Sequence, residues 1–83
     1  MQSETSQAII KRFFEAVDVL IQHKKIRGRQ TYCNLYEIDK RNFYKQKHDL
    51  SRGYFEVSWL VPLVNDFNIS SHWLMTGRGE MFK

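Results

Sequence analysis

The residues able to do chemistry are few and scattered. Cys33 is the one thiol, and His23, His48 and His72 stand at no metal-ligating spacing to it or to one another. His48-Asp49 has the form of a metal-hydrolase dipeptide, but nothing nearby completes a ligand set. Ser70 and Ser71 precede a helical pattern and read most simply as caps. No nucleophile stands with a base and an orienting group, and the glycines form no phosphate loop. An enzyme is therefore the least expected class, and no cofactor, metal or small-molecule substrate is implied. What remains is the chemistry of positive charge.

That charge is unevenly placed. The chain has 13 Lys and Arg against 9 Asp and Glu, a formal +4. Between His23 and Arg52 nine basic residues face three acids, a local net of +6, and the remainder nets −2. A charge run is often only a solvated face, while a localised basic patch is also the footprint of phosphate binding. Which applies depends on the elements that carry the patch.

Eighty-three residues fit one domain with one modest core, and 42% hydrophobic with 27% charged residues is a globular mixture. A single cysteine excludes an internal disulfide scaffold. The polar N-terminus lacks the form of a signal peptide, and no apolar run is long enough for a membrane span. The expected setting is the cytoplasm.

Ile9, Ile10, Phe13, Phe14, Val17, Leu20 and Ile21 recur at helical spacing, which predicts a helix from about Ser6 to His23, capped by Thr5 or Ser6 and ending near Lys24–Lys25, with Gly28 marking a turn. Tyr32, Cys33, Leu35 and Tyr36 suit a two-turn helix over 29–36. Asp39 can cap a short helix from Lys40 to about Lys47, with Phe43 as its inward anchor. Leu50-Ser51-Arg52-Gly53 reads as a loop. Trp59, Leu60, Leu63, Val64 and Phe67 mark a further buried face, and Pro62 requires that helix to start near Ser58 or Val61. A strand over 54–64 is the weaker reading. A last short helix runs from Ser71 to Met75 and is stopped by Gly77 and Gly79. Phe13, Phe14, Phe43, Trp59, Phe67 and Trp73 sit at core spacing, which disfavours a stacking platform for single strands.

The basic patch thus lies on two short helices joined by a tight turn, the helix-turn-helix arrangement in which the second helix enters the DNA major groove. Cys33 supplies the small residue where the helices cross, Ile38 the apolar residue of the turn, Asp39 the cap and Phe43 the anchor. The stretch Arg29-Gln30-Thr31-Tyr32-Cys33-Asn34-Leu35-Tyr36-Glu37-Ile38-Asp39-Lys40-Arg41-Asn42-Phe43-Tyr44 resembles the helix-turn-helix of lambda-repressor-like phage and bacterial regulators. The tail Asn68-Ile69-Ser70-Ser71-His72-Trp73-Leu74-Met75-Thr76-Gly77-Arg78-Gly79-Glu80-Met81 resembles the end of that family's DNA-binding domain. The match spans about Ser6 to Met81. It departs at Glu37, where the family usually has a glycine able to take positive φ, and at Pro62 in the fourth helix.

The resemblance implies an all-α, five-helix DNA-binding domain over residues 1–83, with the helix-turn-helix at about 29–47. On this resemblance the C-terminal dimerisation or peptidase domain of full-length phage repressors is expected to be missing. It implies a transcriptional regulator, most simply a repressor, from a bacterium or its phage. Base contacts would come from Lys40, Arg41, Tyr44 and Lys45, with Arg41 suited to bond guanine at two acceptors. Lys40 and Lys45 could instead meet only phosphates, and Tyr44 could pack partly against the domain. Phosphate contacts would come from Arg29, Gln30, Thr31, Asn42, Lys47 and Arg52, and Lys24, Lys25 and Arg27 could extend the patch. The partner would be double-stranded DNA, as a palindromic operator bound by two copies. The competing class is a protein-interaction adaptor that keeps the fold and offers its basic face to an acidic partner.

Overall fold

A computed structural model describes residues 2–83. Its architecture is all-α. Helices α1 (Glu4–Gln22), α2 (Arg29–Leu35), α3 (Lys40–His48), α4 (Val61–Asp66) and α5 (Ser71–Thr76) follow in order, with one 3-10 turn, Val57–Trp59, before α4. No strand forms among the described residues, so the strand reading of 54–64 does not hold. A single antiparallel bridge joins Ile69 to Phe82. No described helix is long and apolar enough to cross a membrane.

The core is aromatic, and Phe13 is its centre. Its ring meets Phe14, Tyr32, Phe43 and Phe55 edge-on at 5.0–6.0 Å, so one residue of α1 touches α2, α3 and the loop after α3. Edge-to-face pairs suit the ring quadrupole and add about 0.5–1.5 kcal/mol each beyond burial. Ile10, Phe13, Phe14, Ala16, Val17 and Leu20 are the buried face of α1. Cys33, Ile38, Phe43, Trp59, Leu63, Ile69 and Leu74 complete the cluster. Phe67 and Trp73, expected in the core, are only half-buried at its edge. Tyr32 is fully buried and donates its hydroxyl to the Trp59 carbonyl at 2.6 Å, which satisfies the phenol and ties α2 to the 3-10 turn. Burial, with the nearby Tyr36 and Asp66, raises the Tyr32 pKa.

The helix ends explain the path of the chain. α1 begins two residues earlier than expected, because Ser3, not Thr5 or Ser6, accepts from the Ser6 N–H at 3.1 Å. It ends in a Schellman motif: Lys24 takes φ +60°, its N–H bonds the Ile21 carbonyl, and the Lys25 N–H bonds that of Leu20. The reversal therefore falls at Lys24. Gly28, expected to mark a turn, is extended and opens α2. α2 closes with the outer bond of the same motif. Glu37 has φ +55° and the Ile38 N–H returns to the Cys33 carbonyl at 2.9 Å, with both side chains buried. The left-handed conformation that glycine favours is adopted here by glutamate, at a steric penalty of about 1–2 kcal/mol. α4 starts at Val61 with Pro62 in its first turn, where proline's missing N–H had no intrahelical partner. Asn68 follows it with φ +60°. Ser70 caps α5 through the Trp73 N–H at 3.2 Å, and Gly77 at φ +74° ends it.

Candidate nucleic-acid interface

α3 carries the site. Asp39 opens it by accepting from the Asn42 N–H at 3.0 Å. At about 100° per residue, Phe43 and Gln46 fall on one side and Arg41, Tyr44, Lys45 and His48 on the other. Phe43 and Gln46 are fully buried, so the side that holds Arg41 and Lys45 must face outward. Lys40, Arg41, Lys45 and His48 are exposed, whereas Asn42, Tyr44 and Lys47 are half-buried along the flanks. His48 extends the outward stripe by a further turn and was not among the expected contact residues. Helical spacing alone places it there, since it stands seven positions after Arg41.

Gln46 is the polar residue that sequence reasoning missed. Its Oε1 accepts from the N–H groups of Tyr54 and Phe55 at 2.8 and 2.9 Å, and its Nε2 donates to the Leu50 carbonyl at 2.9 Å. One buried amide thus fastens the loop 50–55 to the last turn of α3. No buried side-chain polar atom among the described residues is left without a partner.

The fastened loop brings Tyr54 beside two cations. Lys45 Nζ lies 5.4 Å from the Tyr54 ring centroid and the Arg52 guanidinium 5.5 Å from it. Arg52 Nη2 donates to the Tyr54 hydroxyl oxygen at 3.3 Å. The Arg52 hydrogen bond, with Lys45 close by, lowers the Tyr54 pKa from its ordinary value. Asp49 Oδ1 accepts from the Ser51 hydroxyl and N–H at 2.6 and 3.0 Å, and these bonds, with the nearby Arg52 charge, lower the carboxyl's pKa.

The start of α2 forms the other edge. An open groove of about 600 Å³ runs between α1 and α2. Arg27, Arg29, Gln30 and Thr31 line it, and Tyr44 of α3 closes one side. The groove therefore brings three of the expected phosphate residues to an expected base-contacting residue. Lys40, Arg41, Asn42, Lys47 and Arg52 lie outside it. Arg29 is held within it, because its Nε and Nη2 both donate to Asp18 Oδ1 at 3.1 and 3.0 Å. This is the one ion pair among the described residues. Lys40, Arg41, Lys45 and Arg52 accordingly have no carboxylate partner there.

No group of three or more His, Cys, Asp or Glu able to hold a metal occurs among the described residues. Cys33 is buried, which raises its thiol pKa. The chain matches no known family, no curated protein and no solved structure.

Proposed function

We propose that this chain is a lambda-repressor-like helix-turn-helix domain that binds double-stranded DNA in a sequence-specific way and regulates transcription, most simply as a repressor of bacterial or phage origin. One observation carries the reading. α3 turns Phe43 and Gln46 inward and presents Arg41, Tyr44, Lys45 and His48 outward, with no carboxylate paired to its cations. A helix so loaded suits the major groove, where base edges offer acceptors and the flanking phosphates offer charge. The turn before α3, with Glu37 left-handed and Ile38 buried, is also what such a pair of helices requires.

In this reading Arg41 reads a base, with Lys40, Tyr44 and Lys45 beside it. Gln30, Thr31, Asn42, Lys47 and Arg52 meet the backbone on either side. Arg29 contributes from its Asp18 pair. Two copies bind the halves of a palindromic site in the bacterial cytoplasm, so half-site spacing near one helical turn of DNA is expected.

The test is selection of bound duplexes from a random pool at low salt. Enrichment of a palindrome supports the reading. Failure to retain any duplex contradicts it and favours the adaptor alternative, in which the basic face meets an acidic protein.

A further inference from the structure

Lys45 and Arg52 converge on Tyr54, and neither forms an ion pair among the described residues; the Asp49 carboxylate that acts on Arg52 is itself held by Ser51. Like charges held together raise the local potential and make a site for an anion. The convergence is built in: buried Gln46 pins the backbone N–H of Tyr54 to α3, and that holds the ring beside both cations. Arg52 donates to the phenol oxygen, which leaves the phenol hydrogen to be donated outward. An ammonium, a guanidinium and a hydroxyl are therefore gathered around one ring at the trailing edge of α3.

We propose that Lys45, Arg52 and Tyr54 together grip a single backbone phosphate of the bound DNA, with Gln46 as the residue that positions them. This rests on the DNA-binding reading above and changes one part of it. Lys45 moves from base reading to backbone contact, and Tyr54 and Gln46 gain roles that neither motif nor composition assigns. The shared ligand is a phosphodiester, not a base edge, so the cluster adds affinity and fixes the register of α3 without adding sequence preference.

The experiment is fluorescence anisotropy of the folded chain with a random-sequence duplex and with a selected one, over about 50–200 mM salt. Neutralising one phosphate contributes about −0.9 to the slope of log K against log salt. Lys45→Ala and Arg52→Ala should each flatten the slope by less than about one unit, and the double variant by about one, because both cations serve one phosphate. Tyr54→Ala should weaken both duplexes equally, on the order of tenfold near physiological salt, and Tyr54→Phe, which keeps the ring, by less. A double-variant change near two units would mean two independent phosphates and would overturn the proposal. So would an unchanged slope, or a loss confined to the selected duplex. The lysine and arginine variants touch no core residue, so they report even where Tyr54→Ala disturbs the loop. If the unaltered chain binds no duplex, both readings fall. If it binds and Arg41→Ala relaxes its preference while the double variant behaves as the parent, only this proposal falls.

Discussion

Arg12 on α1 and Arg41 on α3 are both helical arginines, and they are used in opposite ways. Arg12 reaches from α1 across to α5, where its Nε donates to the Leu74 carbonyl at 2.8 Å and its Nη2 to the Met75 carbonyl at 3.1 Å. A cation there neutralises the partial negative charge at the helix C-terminus and satisfies carbonyls that no helical N–H can meet. Gly77 lies close under it, since a Cβ at that position would stand 3.0 Å from Arg12 Nη1. Arg41 on α3 has no such acceptor and no carboxylate. Counting charges cannot separate these two arginines, whereas asking where each finds its acceptors does.

That contrast can be broken in several ways. The largest effect belongs to the inner face of α3. Phe43→Ala removes a ring packed against Phe13, Phe14 and Trp59 and should destabilise the fold by about 3–5 kcal/mol in urea unfolding. A cost under 1 kcal/mol would mean that α3 is not anchored by this residue. Arg12→Met should lower stability by about 2–3 kcal/mol through the loss of two charge-assisted bonds, with duplex affinity of the folded protein unchanged. Arg41→Ala should do the reverse. Binding weakens by about 1–3 kcal/mol and one base preference relaxes, with the melting temperature held. If both variants lost stability alone, the contrast between the arginines would be gone.

Two smaller effects concern the turn and the core phenols. Tyr36 is pushed up to about 12, first by burial and then by its hydrogen bond to Asp66, and Tyr32 is also raised. Both fold with the phenol neutral. Their stabilisation is therefore complete below the unfolded value near 10 and declines as pH rises above it. Thermal melts should stay level from about pH 8 to 9 and fall by pH 11, and Tyr36→Phe should reduce that fall. Glu37→Gly has the smallest expected effect. Relief of the left-handed strain, about 1–2 kcal/mol, is partly offset by the greater entropy of the unfolded chain, for a net gain of about 0.5 kcal/mol.

Local patterns were legible and distant partners were not. Asp39 and Ser70 were visible as caps because a cap needs only a side-chain acceptor just before a periodic run. Pro62 located the start of α4 for the same local reason. Phe43 and Ile38 were visible from spacing alone. The end of α1 near Lys24 was legible, but the left-handed conformation of Lys24 was not, since left-handed residues other than glycine carry no strong signal. Arg12 meets acceptors 62 and 63 positions away, and Asp18 meets Arg29 eleven positions away. No periodicity reports such pairs. Gln46 reads as one more polar residue of a basic helix until its three backbone partners are seen. Within the candidate site, the outward face of α3 was therefore readable, and the amide and phenol that hold its trailing edge were not.

The most direct measurement is the salt dependence of duplex binding by the intact chain. With four to six phosphates neutralised per copy, the slope of log K against log salt should be about −4 to −5. A slope near zero, or no binding to duplex at low salt, would contradict the assignment of the α2–α3 face to DNA.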